Sequence, residues 1–158
     1  MKKLLISVLA LFTWAAFSTI AFAAEENATV NECIEMCKLA AEAILQDKDV
    51  ALAEIAKPDG KFVWKDSYVF AMDLKGKMLA HPMMPGLMKM DNLLSTPDKN
   101  LANPKMLFVE FVVLAATEGE GWVSYMWPKP GSTQPVEKET YIYRVPNTTM
   151  FVGAGIYR

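Results

Sequence analysis

A short segment of the chain, LAHPMMPGLMKM at residues 79–90, holds its only histidine and four of its eleven methionines. Imidazole and thioether groups are ligands that suit Cu(I). The side chains that could form such a copper site lie within ten residues of one another: His81, Met83, Met84, Met88 and Met90. Other methionines fall at core-like positions, which favours the alternative that methionine is a flexible apolar filler here.

His81 also has two explanations that do not involve a metal. It follows a strand-like stretch and precedes Pro82. Near neutral pH an imidazole can contact a ligand through an oriented hydrogen bond, or it can cap the backbone of its own loop. Both explanations stay open from the sequence.

The two cysteines, Cys33 and Cys37, are four residues apart, which places them on one face of a helix. In an oxidising compartment an even pair suggests a disulfide. One regular helical turn gives poor geometry for that bond, so free buried thiols are the alternative. With a single histidine, the chain supplies neither a Ser-His-Asp set nor a Cys-His dyad with an orienting group. The sequence therefore predicts a protein that is not an enzyme.

The beginning of the chain has the pattern of an export signal. Lys2 and Lys3 precede an uncharged run at residues 4–24, and AFA at residues 21–23 has small residues at the two positions that signal peptidase recognises. We predict a signal peptide over residues 1–23, cleaved after Ala23, and a single periplasmic domain over 24–158. A retained signal anchor is the alternative, because the run is long enough to span a bilayer.

The bulk composition is that of a globular protein, with 53% hydrophobic and 22% charged residues. Without Lys2 and Lys3 the chain has 14 basic against 18 acidic residues. The basic residues of the sequence form no stripe that could follow a phosphate backbone, which argues against nucleic acid as a partner.

The first part of the domain is predicted to be helical. Apolar residues recur at three- and four-residue steps over residues 27–57, with a break near 47–49 where an aspartate would cap a second short helix. A two-residue alternation over residues 62–72 then predicts a strand with a kink or bulge at 65–66. The segment DLKG, at 73–76, predicts a tight hairpin turn with Gly76 in the left-handed conformation.

The second part predicts one helix and three strands. A loop at residues 81–95 leads to a helix from Pro104 to about residue 117, with Pro104 in its first turn. Strands are predicted at residues 121–127, 136–145 and 150–157. This order of elements favours an antiparallel sheet with its helices on one face.

Several of these segments, taken in order, resemble the single Cache domains, which are extracytoplasmic sensor modules with a PAS-like fold. The resemblance extends over about residues 30–157. It rests on the following segments: D-x-x-G at 73–76, A-H-P at 80–82, GWVSYMWPKP at 121–130, K-x-x-Y at 138–141 and G-x-G-x-Y at 153–157. The chain departs from the family pattern at Met83 and Met84, where polar residues are frequent.

The resemblance implies an α+β fold: a PAS-like antiparallel sheet of about five strands, a long N-terminal helix and a crossover that contains a helix. It further implies a pocket between the sheet and the crossover loops that binds a small molecule, often a short organic acid. We therefore expect a stand-alone, soluble periplasmic protein that needs no cofactor and acts through a membrane receptor or a transporter. The N-terminal helix would be its docking surface or homodimer interface. A copper(I)-binding protein and a purely structural interaction module are the alternatives.

Binding a carboxylate requires local hydrogen-bond donors and walls that exclude water. Strand alternation places Trp122 opposite to Tyr125 and Trp127, and Lys138 opposite to Tyr141. We expect Tyr125, Trp127 and Tyr141 to line the pocket in preference to Lys138 and Trp122. The full candidate set is His81, Tyr125, Trp127, Lys138, Tyr141, Tyr143 and Trp122, with Tyr68, Trp64 and Phe70 as wall.

Overall fold

The computed structural model describes residues 27–158, so the predicted signal peptide lies outside the described part of the chain. Helix α1 (Val30–Gln46) begins with a capping box, in which Thr29 accepts from the Glu32 amide and the Glu32 carboxylate accepts from the Thr29 amide. Asp47 ends α1 and caps α2 (Lys48–Ile55), since its carboxylate accepts from the Val50 amide at 3.1 Å. The predicted helical break and its aspartate cap are confirmed.

Six antiparallel strands form the sheet, in the order β1-β2-β6-β5-β4, with β3 paired to the end of β2. The crossover between β3 and β4 contains a 3-10 turn (Pro85–Lys89) and helix α3 (Leu107–Thr117). The α+β prediction is confirmed, with six strands where about five were expected. The strands are β1 (Val63–Trp64), β2 (Ser67–Asp73), β3 (Met78–Ala80), β4 (Glu120–Pro128), β5 (Pro135–Arg144) and β6 (Met150–Tyr157).

Two predicted element boundaries differ from the structure. The expected kink at residues 65–66 is the turn of a hairpin, because Trp64 of β1 pairs with Ser67 of β2. Helix α3 begins at Leu107 rather than at Pro104. The preceding residues are held outside the helix by Asp98, whose amide donates to the Lys105 carbonyl and whose carboxylate accepts from the Lys105 amide.

Helices cover both faces of the sheet, so the prediction that they share one face is wrong. Helix α1 packs on one face against Val69, Ala71 and Ala154; we call this the α1 face. Helix α3 packs on the other against Phe70 and Ile142; we call this the α3 face. The physical reason lies in β2, whose residues from Ser67 to Met72 are all buried, so that both of its sides need a covering layer.

The cysteines lie on the buried side of α1 and are free. Cys37 contacts the Tyr141 carbonyl through its sulfur at 3.8 Å. The suggested disulfide is therefore absent, and the alternative of two buried thiols holds, because a regular helix carries both sulfurs into the packing face. Burial raises the pKa of Cys33 to about 11, so the thiol stays protonated at neutral pH. None of the helices in residues 27–158 has the length and apolar character needed to cross a bilayer.

Candidate functional site

The α3 face collects a buried group of polar side chains beside a set of aromatic rings. Strand register brings the polar side chains together, because Tyr125 of β4 lies opposite Lys138 of β5, and Lys138 lies opposite Tyr157 of β6. We call the resulting group the Lys138 site. Its members are Tyr68, His81, Tyr125, Lys138, Thr140 and Tyr157.

Lys138 is 1% exposed, which is exceptional for a lysine. Its ammonium group lies 4.1 Å from the centre of the Tyr68 ring and 4.5 Å from that of Tyr157. It donates one hydrogen bond, to the Tyr157 hydroxyl at 3.1 Å. No carboxylate of residues 27–158 lies within ion-pair distance of it. Because an unpaired buried charge is costly, the arrangement is suited to receiving an anion.

Two glycines of β6 make room for these side chains. A Cβ at Gly155 would stand 2.5 Å from the Glu139 carbonyl and 2.9 Å from the side chain of Lys138. A Cβ at Gly153 would stand 2.5 Å from the Phe70 ring. The G-x-G segment therefore lets the lysine stem and an aromatic ring lie directly on the sheet.

His81 is buried, and its Nδ1 atom accepts hydrogen bonds from the amides of Met83 and Met84 at 3.2 and 2.9 Å. Of the two sequence-based explanations, the loop cap is thus present. Burial, with the neighbouring charge of Lys138, lowers the pKa of His81 to about 3, so the imidazole is neutral at pH 7. Because Nδ1 accepts, the proton of the neutral ring is on Nε2, which remains available as a donor.

The phenol groups of Tyr125 and Tyr157 also remain protonated. The Tyr125 hydroxyl lies 2.8 Å from the Thr140 hydroxyl, and the Tyr157 hydroxyl donates to the Pro128 carbonyl at 3.1 Å. Burial raises the pKa of both tyrosines. The site therefore places the side chain of one lysine, Lys138, among neutral hydrogen-bonding groups.

Aromatic rings close the site on the side of α3. Phe70 stacks on His81 and on Phe111, with ring centres 6.1 and 5.7 Å apart. Phe111 meets Tyr125 edge to face at 5.4 Å. The enclosed space among these rings is about 10 Å³, room for about one water molecule. The pocket expected from the sequence is thus nearly filled by its own side chains, and a larger ligand requires some of them to move.

Four candidate residues lie away from this site, and one of them, Tyr143, stacks on Tyr141 with ring centres 6.3 Å apart. Trp122 and Tyr141 contact each other on the α1 face, with ring centres 5.4 Å apart, and the Tyr141 hydroxyl donates to the Glu120 carboxylate at 2.5 Å. Trp64 packs half-buried against the core of the same face. Strand alternation therefore puts Lys138 on the face that His81 joins and Tyr141 on the opposite face, and the sequence pattern alone did not say which residue lies on which face.

The methionines of the 81–90 segment divide between core and surface. Met83, Met84 and Met88 pack partly buried against the core of the α3 face, whereas Met90 is 42% exposed. The Nδ1 atom of His81, already bonded to two amides, is not free to bind a metal. Within the described residues, histidine, cysteine and acidic side chains form no group of three that could hold a metal ion.

Sequence reasoning missed two polar members of the site, Thr140 and Tyr157. Tyr157 stands in the G-x-G-x-Y segment, and the signal for it was present in the strand lengths. Once Pro128 is paired with Pro135 across the β4–β5 turn, Lys138 falls opposite Tyr125. The β5–β6 turn then places Tyr157 on the other side of Lys138.

The site lies in a domain of known type. A sequence model of the Cache domain matches residues 52–158, which is about two thirds of the chain. The chain belongs to the Cache family. The resemblance inferred from the ordered segments is confirmed, and the matched region of this Cache domain contains every member of the Lys138 site.

Relatives of this Cache domain occur in chemotaxis receptors. The methyl-accepting chemotaxis protein McpP of Pseudomonas putida is 37% identical over 93 residues, which are 58% of this chain and 16% of McpP. A periplasmic sensor domain of a chemotaxis protein superposes with a TM-score of 0.62 at 28% identity, covering 78% of this chain and 86% of that one. The chain thus spans only a small part of the length of McpP.

Another solved structure addresses recognition by this kind of domain. It is a Cache chemosensory domain whose structure gives the basis for its recognition of carboxylic acids. It superposes with a TM-score of 0.66 at 25% identity, covering 80% of this chain and 91% of that one. A methyl-accepting chemotaxis protein of Vibrio parahaemolyticus shares the fold, with a TM-score of 0.65 at 21% identity, over 80% of this chain and 86% of that one.

Proposed function

We propose that this Cache domain senses a short monocarboxylic acid, which binds at Lys138. The observation that carries the proposal is a lysine 1% exposed with no carboxylate of the described residues to neutralise it. A carboxylate ligand would supply the missing charge in an environment where low polarity strengthens the interaction. The carboxylic acid recognition described for the similar Cache chemosensory domain supports the same class of ligand.

The chemistry of the site favours one carboxylate over two. His81 is neutral, so Lys138 provides the only positive charge among the residues that make up the site. The ligand carboxylate would accept from the Lys138 ammonium and from the Nε2 proton of His81. Phe70 and Phe111 would surround an aliphatic tail. A second carboxylate, or the ammonium of an amino acid, would meet rings rather than a partner of opposite charge.

Entry of the ligand would require the crossover to rearrange. The space of about 10 Å³ holds no more than a water molecule. Met83, Met84 and Leu87 pack against the core of this face from the adjoining loop and 3-10 turn. Thioether side chains change rotamer easily, so this segment is the part best able to give way. We infer that the described conformation is the closed one.

We further propose that the domain works in the periplasm after cleavage of its signal peptide behind Ala23, and that it acts through a membrane receptor or a transporter. Its similarity to McpP and to a periplasmic sensor domain supports this setting. Helix α1 carries exposed apolar side chains, Leu39 and Leu45 among them, and these would support a homodimer or a docking surface. Mass spectrometry of the protein purified from its native compartment tests the cleavage site and reports any retained acid.

Thermal unfolding in the presence of small acids tests the ligand class. Acetate and propionate should raise the melting temperature, because a ligand that binds only the folded state stabilises it by about 2.7 kcal/mol at a hundredfold excess over Kd. Succinate and ethylammonium should give no comparable shift at equal ionic strength. Cu(I) serves as a further arm, because a shift with copper alone would favour the metal-binding alternative.

Substitutions connect that shift to the site. Lys138→Met should abolish the propionate shift. Lys61→Met is the matched control, because Lys61 is exposed and also lies over an aromatic ring, that of Phe62, at 5.0 Å. Tyr141→Phe, on the α1 face, should leave the propionate shift unchanged. A shift that survives in Lys138→Met, or the lack of any shift with monocarboxylates, would overturn the proposed site.

A further inference from the structure

We propose that Asp66 is a positioning residue that couples the Lys138 site to the first turn of α1. This coupling rests on the proposed function only in one respect, namely that the physiological ligand is the acid proposed to bind at Lys138. The contacts that carry it are those of the protein itself.

The first step leads from the lysine to the turn after β4. Lys138 donates to the Tyr157 hydroxyl, which in turn donates to the Pro128 carbonyl, both at 3.1 Å. The next residue, Lys129, places its ammonium 5.4 Å from the centre of the same Tyr157 ring. Tyr157 is therefore held between two lysines, one buried and one at the edge of the site.

The second step leads from Lys129 to α1. The carboxylate of Asp66 uses both of its oxygens: one accepts from the Lys129 ammonium at 3.2 Å, and the other accepts from the Ala28 amide at 2.8 Å. Ala28 directly precedes Thr29, the residue that caps α1. Asp66 is thus the only residue in this series that touches both the turn after β4 and the start of the helix.

A second contact fixes the same turn to the same helix. Lys65, which precedes Asp66, forms an ion pair with Glu32 of the capping box at 2.7 Å. Its backbone is in the left-handed region, with φ of 47°, a conformation that is uncommon for residues other than glycine. Tyr68, three residues further along, lies beneath the Lys138 ammonium. The β1–β2 turn therefore contacts the helix at one end and continues into the site at the other.

These contacts suggest how an anion would change the start of α1. A carboxylate bound to Lys138 competes with the Tyr157 hydroxyl for the protons of that ammonium. Displacement of the Tyr157 ring would alter the position of Lys129, which shares that ring, and would thereby weaken its pair with Asp66. The hydrogen bond that the Ala28 amide donates to Asp66 would respond to this change, because it uses the other oxygen of the same carboxylate.

A double-mutant cycle on the full chain tests this coupling without any ligand. Asp66→Asn keeps an acceptor for the Ala28 amide but removes the charge that holds Lys129. The measured quantity is the hydrogen-exchange rate of the Ala28 amide, followed by NMR. Lys138→Met should change that rate by about threefold or more in the natural background, and by much less in the Asp66→Asn background, as expected for residues that share a network.

The control cycle pairs Lys138→Met with Asp59→Asn, because Asp59 is an exposed acid outside this network. The effect of Asp59→Asn on the Ala28 exchange rate should be additive with the effect of Lys138→Met. An equal response to Lys138→Met with and without Asp66→Asn, or no response in the natural background, would overturn the coupling. A merely structural Asp66 would lower stability but would leave that response intact.

A ligand arm separates this proposal from the proposed function. Propionate should shift the Ala28 exchange rate in the natural protein, and Asp66→Asn should abolish the shift while it changes the affinity for propionate by less than about threefold. If propionate does not bind, the proposed function fails and the ligand-free cycle still decides the coupling. If propionate binds without any effect at Ala28, the coupling fails and the binding site stands.

Discussion

The ammonium of Lys138 lies 4.1 Å from the centre of the Tyr68 ring, on the face of the sheet that α3 covers. Ring faces carry partial negative charge and stabilise a nearby cation, most strongly where water is excluded. Two rings and one hydroxyl are nevertheless weaker partners than a carboxylate. The ligand-free protein thus keeps the Lys138 charge buried at a cost to its own stability. The sign of the stability change can therefore be predicted for substitutions at this site.

Lys138→Met should make the ligand-free protein more stable. Replacing a buried charge by an apolar side chain of similar length removes its desolvation cost, and related replacements stabilise proteins by about 1 kcal/mol or more. Urea unfolding measures the difference. The exposed control Lys61→Met should change the free energy of unfolding by less than about 0.5 kcal/mol. A clear loss of stability in Lys138→Met would mean that the ring contacts outweigh the cost of burying the charge.

Gly155→Ala should destabilise the fold and disturb the Lys138 site. The new Cβ would stand 2.5 Å from the Glu139 carbonyl, a backbone atom that cannot turn away. Overpacking of this kind costs about 1–3 kcal/mol. Gly86→Ala is the control, since a Cβ there meets nothing within 4 Å. Equal midpoints of urea unfolding for these two variants would show that β6 yields more easily than its packing indicates.

The hydrogen bond between the Tyr125 and Thr140 hydroxyl groups can be tested for its contribution to stability. Tyr125→Phe leaves the buried Thr140 hydroxyl without its partner and should cost about 1–2 kcal/mol of unfolding free energy. Adding Thr140→Val removes the orphaned group and should recover part of that loss. Non-additive changes in urea unfolding across the four proteins would confirm the bond, whereas strict additivity would contradict it.

The sequence predicted the elements of this domain well because their signals are local. The break between the first two helices was expected near residues 47–49, and Asp47 caps α2 there through an amide three residues away. Gly76 adopts the positive φ of 83° that its hairpin turn was expected to need. Each of these features depends on residues that are neighbours in the chain, so the sequence pattern alone was sufficient.

The site was predicted less well because it depends on relationships between distant strands. Alternation correctly separated Lys138 from Tyr141, but the choice between them needs the identity of the face that His81 joins. That face is set by the crossover, which brings His81 within 5.0 Å of the Tyr68 ring. The near closure of the pocket was equally hidden, because it depends on how Phe70 and Phe111 pack on each other.

His81, the only histidine of the chain, should make the stability of the protein depend on pH below neutrality. Its pKa falls from 6.5 in the unfolded chain to about 3 in the folded protein. Between these values the unfolded state binds a proton that the folded state does not, so stability is complete above pH 6.5 and is lost as the pH falls toward 3. From pH 7 to pH 5 the loss should reach about 2 kcal/mol.

Urea unfolding at pH 7, 6 and 5 measures that loss, because most carboxylates remain ionised over this range. His81→Asn is the comparison, since asparagine keeps an oxygen that can accept from the Met83 and Met84 amides but does not titrate. The variant should be less stable than the natural protein at pH 7, and its unfolding free energy should change much less between pH 7 and pH 5. Parallel curves for the two proteins would show that His81 remains able to take up a proton in the folded state, and they would contradict its burial as a neutral donor beside Lys138.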